Sequence, residues 1–528
     1  MSSGLSSDLA AQSRLASSKR PRRYTPAHKK QQSSRLPRFL FNIAVVAGTT
    51  LGALLIGASE WIWGEFGPIT VPQALDNLSG GGEGVPASFY WSIAKLVIAP
   101  TVAAFGIAIT LLFVAASLKK NGKQFWYRFV SAQLTVACVV VAATGVIFID
   151  QSLSIRKWLF HQPMDADIAD YYVQPEILQA VAGDKNLVLI FLESMDDAFG
   201  DETIVEGNAL EALQNATTDW ARIDNFTQYA GGGWSQAGMV SSLCGVPIRA
   251  AGEESAENDW DIAAGDGAYM PGVTCLSDLL ADAGYTQVFM SGGDLAFANS
   301  RNFLQSHGFD KILELRDWEQ RGETQITGWG LSDQRLFHYV EEELLSLRDN
   351  SQPFMLSFAT LDNHRPAPHF PYCPDTYSDE TLSAIKCQSD MLAEMLTFMK
   401  NEGLLENTVV AMVADHRILQ AYPIASYRST LDIDPDSVPL FNRFYSPSGE
   451  LAFARDQGSQ LDLFPTLYEM LGGKLQDGRA GLGVSFFTPE EAVRRQKTLL
   501  PLSWEEQRDV LDSESHEWVE EIWTTPSD

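Results

Sequence analysis

The 528-residue chain carries a net charge of −29 and is 45% hydrophobic, with 40 glycines and 24 prolines. That composition excludes a disordered or coiled-coil protein, and the charge argues against a nucleic-acid binder, which would show a basic face. The length predicts more than one domain.

The charge is unevenly placed. The first 38 residues hold Arg14, Lys19, Arg20, Arg22, Arg23, Lys29, Lys30, Arg35 and Arg38 against a single acid, Asp8, so the acidity lies downstream. Residues 1–38 read as a basic cytoplasmic tail. Three apolar segments follow, at 39–62, 89–118 and 129–153. Each exceeds the roughly 20 residues a spanning helix needs, so residues 39–153 predict a membrane region of three helices. The first begins too deep in the chain for a simple cleaved signal peptide. The loop at 64–88 holds Glu65, Asp76 and Glu83 and neither Lys nor Arg, whereas the next holds Lys119, Lys120, Lys123 and Arg128. By the positive-inside rule the N-terminus and the second loop lie inside, and the first loop and everything from residue 154 lie outside. Arg156 and Lys157 run against this. Trp61, Trp63, Trp91 and Trp126 sit near segment ends, as interfacial aromatics do.

Residues 154–185, with Asp165, Asp167 and Asp170, read as a juxtamembrane connector. Residues 186–495 alternate apolar strands, at 187–192, 286–290, 354–360 and 409–413, with helical stretches such as 332–347 and 382–402. This predicts an α/β domain with a mostly parallel sheet flanked by helices. Residues 496–528 are acidic and contain Trp504, Trp518 and Trp523; they form either a closing helix or a loose tail. Cys138 falls inside the third apolar segment. Cys244, Cys275, Cys373 and Cys387 fall in the part placed outside, where an even number suggests two disulfides rather than free buried thiols. Three connectivities are possible; sequence neighbours give Cys244–Cys275 and Cys373–Cys387.

Four stretches carry chemistry. The run Leu187–Leu192 stops at Glu193, which a buried parallel strand would present at its carboxyl end, where open α/β sheets bind ligands. Gly231-Gly232-Gly233-Trp234-Ser235 precedes a helical stretch; it is either an ordinary capped turn or a phosphate site at a helix N-terminus. Ala411–Ala414 ends in Asp415-His416, a pair able to aim two metal ligands across a sheet edge. Leu361-Asp362-Asn363-His364-Arg365 follows another strand, where His364 can donate a proton, bind phosphate or serve structurally. Glu193, Ser235, Asp415 and His416 together make a single-metal site in which a divalent ion would activate the Ser235 hydroxyl.

These motifs resemble the membrane-anchored phosphoglycerol transferase branch of the alkaline phosphatase and sulfatase superfamily. The resemblance covers residues 186–487, on the segments 186–194, 234–247, 293–309, 329–333, 361–366, 415–416, 459–472 and 481–483. It is closer to members that modify periplasmic glucans than to those that make lipoteichoic acid. It implies a sulfatase-like domain in which Glu193, Ser235, Asp415 and His416 hold the metal, Mn²⁺ or Mg²⁺ with Zn²⁺ also compatible. Ser235 would be the nucleophile, where the family usually has threonine. His364 would act at the substrate phosphate, and Arg301, Trp234 and Asp294 would bind substrate. Arg417 departs from the smaller or aromatic residues of relatives. The formylglycine motif Cys-x-Pro-x-Arg is not matched, because Cys244-Gly245-Val246-Pro247-Ile248-Arg249 is one residue too long. The implied reaction moves phosphoglycerol from phosphatidylglycerol to a periplasmic glucan or related glycan, at a bacterial inner membrane, with the catalytic domain outside. Phosphoethanolamine transfer, a phosphodiesterase and a non-catalytic sensor are the rivals.

Overall fold

The computed structural model describes residues 35–66, 69, 71, 74, 87–160, 164–249, 268–327, 329–350, 352–364, 369–418, 438–513 and 515–524. Most of the basic tail, most of the loop at 64–88, and Arg365 therefore lie outside the described residues.

Helix α1 is Arg35–Glu65. A short helix α2, Ala87–Ile93, runs through a π turn, Ala94–Ile98, into α3, Ala99–Lys120, and α4 is Gln124–Leu153. Pro100 sits in the first turn of α3 and has no N–H to donate to the turn before it, which accounts for the local π geometry. The spans 38–65, 89–120 and 124–153 are long and apolar enough to cross a membrane. They outrun the apolar segments read from sequence because polar ends such as Lys119 and Lys120 stay helical. The second loop accordingly shrinks to residues 121–123. Helix α1 packs closely on α4: a Cβ on Gly52 would lie 2.7 Å from the Val141–Ala142 backbone, the small-residue contact that brings helices together in lipid.

After α4 a short helix α5, Ile155–Phe160, leads to the α/β domain. Its strands are β1 Asn186–Leu192, β2 Thr286–Ser291, β3 Lys311–Leu313, β4 Phe354–Ala359, β5 Thr408–Ala414 and β6 Asn442–Tyr445. The helices that matter for the site are α6 Ser235–Cys244, α7 Leu276–Asp282, α8 Asp333–Asp349 and α9 Glu380–Asn401. The sheet order is β3-β2-β4-β1-β5-β6, with β1 central and buried throughout. All pairings are parallel except β5–β6, so the sheet is mixed rather than purely parallel. That antiparallel edge is a common way to finish a doubly wound sheet.

The flanking segments join the same core. Ile168, Tyr171 and Val181 of the connector, and Val510, Leu511, Trp518 and Ile522 near the C-terminus, are all buried in it. The C-terminal stretch forms helices α10, Trp504–Leu511, and α11, His516–Trp523. They clasp the connector through Asp509, which accepts from Met164 N at 3.1 Å, and Ser513, whose Oγ accepts from Ile168 N at 3.0 Å. Of the two forms open to this segment, it takes the closing one, because Trp518 and Ile522 of α11 have a core to enter, with Val519 and Trp523 packed against its edge.

Candidate metal and nucleophile site

Strands β1 and β5 are parallel neighbours with Leu192 opposite Ala414. The next residue of each, Glu193 and Asp415, therefore emerges at the same level of the sheet's carboxyl edge. Glu193, Asp415 and His416 are each 3% exposed. One ligand atom from each lies within 4.8 Å of the other two. His416 Nε2 is 3.5 Å from Glu193 Oε1 and 3.7 Å from Asp415 Oδ2.

The surroundings aim these groups. Nδ1–H of His416 donates to the Arg417 carbonyl at 2.7 Å, which leaves the Nε2 lone pair facing the carboxylates. Ser194 has φ 52°, a conformation a non-glycine residue keeps only when its neighbours hold it. It donates its N–H to Asp415 Oδ1 at 3.0 Å and its hydroxyl to Glu193 Oε1 at 2.5 Å. Thr360 Oγ1 accepts from Glu193 N at 2.9 Å, and Gln460 Nε2 donates to the Asp415 carbonyl at 3.0 Å.

Ser235 is the first residue of α6, with Trp234 as the extended N-cap. Its hydroxyl donates to Glu193 Oε2 at 3.1 Å and lies 3.5 Å from His416 Nε2. The unpaired N–H groups of the first helical turn give this end a positive potential. Gly238 permits the approach: a Cβ there would stand 2.1 Å from the Asp415 carbonyl oxygen. Gly238→Ala is expected to push α6 off β5, costing about 1–3 kcal/mol of stability and more than tenfold in turnover. An unchanged melting temperature and activity would show that this contact is slack. At its far end α6 is held by the disulfide Cys244–Cys275; the second disulfide is Cys373–Cys387, and Cys138 is free.

Burial raises the Asp415 carboxyl to about 7, with His416 opposing the shift and Glu193 adding to it. Burial pushes His416 down, but the charges of Asp415 and then Glu193 outweigh it, and its net shift is upward. Two carboxylates sealed from water at this separation resist joint ionisation, and a divalent cation between them removes that penalty. Two carboxylates, one imidazole and one hydroxyl, with no thiolate, suit a cation that takes oxygen and nitrogen ligands. The residues fit a divalent metal. Glu193, Asp415, His416 and Ser235 would hold it.

A second acid pair lies behind the first. Asp333 Oδ1 accepts from Leu361 N at 2.8 Å, and its Oδ2 accepts from Asp362 N at 3.1 Å and Gln388 Nε2 at 2.7 Å. Asp362 Oδ2 accepts from Asp333 N at 3.1 Å and the Tyr372 hydroxyl at 3.2 Å. Gln388 Oε1 in turn accepts from Asn363 Nδ2 at 2.9 Å, and that amide sits 3.5 Å from the Glu193 carbonyl. Burial, then the charge of Asp333, raises Asp362 to about 9, and burial raises Asp333 to about 6. Asp333, with three donors, is the ionised partner and Asp362 keeps the proton. A carboxyl raised in the folded state stabilises fully below its unfolded pKa, about 3.9, and loses that contribution as pH climbs through the folded value. The melting temperature should therefore fall between about pH 4 and pH 9, and Asp362→Asn, which keeps the acceptor, should flatten the fall. Parallel slopes for parent and variant would place the proton elsewhere.

Trp234 and Asp294 are half-buried at the same edge, the latter accepting from Ala296 N at 2.9 Å. Arg301 is ion-paired with the buried Glu314, which also binds Arg316 at 2.7 Å, so a substrate phosphate would share Arg301 with that carboxylate. His364 is half-buried, its ring centroid 3.9 Å from that of Trp329. Ser194, Thr360, Gln460 and Asp333 went unassigned by sequence reasoning. Ser194, Asp333 and Gln460 lie inside the motif segments 186–194, 329–333 and 459–472, but only the assembled fold shows what they touch.

A family model described as Sulfatase matches residues 185–473. Phosphoglycerol transferase I of Xanthomonas campestris pv. campestris is 33% identical over 273 residues, covering 49% of this chain and 38% of that protein. Phosphoglycerol transferase I of Salmonella arizonae is 28% identical over 338 residues, covering 61% and 41%. The matched part of the chain thus spans about two fifths of the length of these curated relatives. Among solved structures, the lipoteichoic acid synthase LtaP from Listeria monocytogenes has 18% identity and a TM-score of 0.47, covering 60% of this chain and 78% of that one.

Proposed function

The chain belongs to the sulfatase family, and from that premise we propose that it is a membrane-anchored phosphoglycerol transferase, moving phosphoglycerol from phosphatidylglycerol to a periplasmic glucan or related glycan in two steps. The observation that carries this reading is a serine hydroxyl at a helix N-terminus, 3.1 Å from one carboxylate and 3.5 Å from the imidazole of a buried ligand cluster. Kinship with the phosphoglycerol transferases I supports the group transferred.

In the first step Ser235 Oγ attacks the lipid phosphorus. Its proton leaves toward Glu193 Oε2, the bond to the diacylglycerol oxygen breaks, and diacylglycerol departs, leaving glycerophosphoryl-Ser235. In the second an acceptor hydroxyl attacks the same phosphorus, the bond to Ser235 Oγ breaks, and Ser235 leaves, taking its proton back from Glu193. His364 protonates the departing diacylglycerol oxygen and later accepts the acceptor's proton. When bound, Mn²⁺ or Mg²⁺ supplies Lewis-acid stabilisation of the serine alkoxide and of phosphate charge. Ser194 holds both carboxylates in place throughout, and the first turn of α6 presents its N–H groups to the transferring phosphate. Arg301, Trp234 and Asp294 line the substrate side. A formylglycine sulfatase chemistry is disfavoured, since Cys244 is engaged by Cys275.

The catalytic domain faces the periplasm in this reading, with residues 119–128 inside, as the Lys/Arg asymmetry requires. Fusions of alkaline phosphatase and a fluorescent protein at about residues 75, 122 and 200 should report outside, inside and outside; a cytoplasmic signal at 200 would separate the domain from its substrates. The reaction itself is tested by incubating purified full-length protein with head-group-labelled phosphatidylglycerol, with and without glucan. Label should move to the glucan. Label released only as free glycerophosphate would make the enzyme a phosphodiesterase, and transfer only from phosphatidylethanolamine would change the donor.

A further inference from the structure

Outside the spans 38–65, 89–120 and 124–153, large apolar side chains are exposed at few places. Among the described residues there are six: Trp158, Leu159, Phe160, Ile177, Leu178 and Trp504. Three belong to α5, with Trp158 55% exposed, Leu159 59% and Phe160 80%, and Trp504 opens α10. Exposed apolar groups gathered in one place mark an interaction surface, whereas scattered ones are ordinary.

The chain path shows where this patch lies. Helix α4 ends at Leu153, and Ser154 takes φ 52°, a left-handed residue that turns the chain off the helix axis. The turn is locked, because Arg156 donates its backbone N–H and its Nε–H to the two carboxylate oxygens of Asp150, both at 2.6 Å. Helix α5 thus starts at the polar end of the span. Within it Ile155, Trp158 and Leu159 fall on one face at i, i+3 and i+4, with Arg156 and Lys157 off that stripe. Lys157 Nζ is 3.8 Å from Glu505 Oε1, which sets the first turn of α10, and with it Trp504, beside α5. The far end of α10 belongs to the core through Val510 and Leu511. Four residue steps separate Phe160 from Met164, which Asp509 of α10 holds. They span at most about 14 Å, so the domain cannot rise far above α5.

We propose that α5 and the Trp504 edge of α10 form one membrane-docking surface, which seats the α/β domain on the lipid surface at the exit of α4. Lipid is the occupant because α5 continues directly from a helix long and apolar enough to cross the bilayer. Its composition agrees: Trp and Phe beside Arg and Lys settle at headgroup depth, rings inward and cations toward phosphate. The Lys157–Glu505 pair and the short connection to Met164 make docking a property of the whole domain rather than of α5 alone. A seated domain keeps the Glu193, Asp415 and Ser235 cluster at a fixed height over the membrane. The docking goes beyond the transferase reading and does not rest on it.

The test uses the full-length protein in vesicles of phosphatidylcholine and phosphatidylglycerol, in a Cys138→Ser background that leaves both disulfides intact. A nitroxide is attached at Leu159→Cys, at Trp504→Cys or, as a reference on the α/β domain, at the exposed Asp349→Cys. The nitroxide is itself apolar and stands in for the side chain it replaces at 159 and 504. EPR compares its collisions with oxygen, which dissolves in lipid, and with a nickel chelate, which stays in water. Labels at 159 and 504 should give an oxygen-to-nickel ratio several-fold above that at 349. The double variant Trp158→Ser, Phe160→Ser should lower the ratio at 504 several-fold, with the melting temperature unchanged, since neither side chain is part of the core. A ratio at 504 equal to that at 349 overturns the proposal even where 159 reads lipid, because α5 would then be a tail that holds nothing. A ratio at 504 that the double variant does not move overturns it too. Dipolar broadening at 159 that vanishes on dilution with unlabelled protein would assign the patch to a second copy of the chain, with the same consequence. None of these readings needs turnover, so loss of the transferase reading leaves them intact.

Discussion

Ser235→Ala is expected to lower transfer by several orders of magnitude, on the order of 10⁴-fold or more, as losses of covalent nucleophiles do, while leaving the fold in place. The side chain's described bonds are to Glu193 and His416, both members of the site, so its removal deletes a reacting group and little packing. Helix α6 keeps its other anchors, the Gly238 contact and the Cys244–Cys275 disulfide. Ser235→Thr retains a hydroxyl at the same helical position and should keep a measurable fraction of activity. The decisive measurement is mass spectrometry of protein quenched with labelled donor: the adduct should map to Ser235 and vanish in the alanine variant. An adduct on another residue, or an alanine variant as active as its parent, would end the two-step scheme.

Chelation should have an effect of similar size. Glu193 and Asp415 are buried together at the end of adjacent strands, and without a cation their charges oppose one another in a dry site. Exhaustive chelation is expected to stop transfer, and Mn²⁺ or Mg²⁺ to restore it. A readout apart from turnover is the melting temperature. A cation that binds only the folded state stabilises it by about 2.7 kcal/mol at a hundred times its dissociation constant. Glu193→Gln, which keeps the shape and removes one charge, should abolish both the rescue and most of the thermal shift. Full activity after chelation, or a thermal shift of equal size in Glu193→Gln, would refute the assignment of this cluster as the metal site.

The local signals were strong wherever a short run of residues decides its own fate. Leu187–Leu192 is apolar without a break because β1 is covered on both faces, and the polar residue that ends it lands at the sheet's edge. The three long apolar helices are equally legible, since length and hydropathy alone qualify a segment to cross a bilayer. Strand β6, Asn442–Tyr445, left no such signal. It has four residues, two of them polar, and its pairing with β5 is what makes it a strand.

By itself, then, the sequence determined the α/β class, the candidate membrane helices, the strand ends bearing Glu193 and Asp415-His416, and the glycine-rich entry to Ser235. Each of these is encoded by residues close in sequence, through apolar runs, periodicity and turn chemistry. What only the tertiary structure decided is which strand ends meet. Parallel strands are paired through long crossovers, so the order β3-β2-β4-β1-β5-β6 is not written in any local stretch. That order sets Glu193 level with Asp415, lets Ser194 bond both carboxylates, and joins Asp333 to Asp362 across 29 residues of chain. It also brings Trp329 against His364, because side chains from separate loops meet only once the sheet beneath them is assembled.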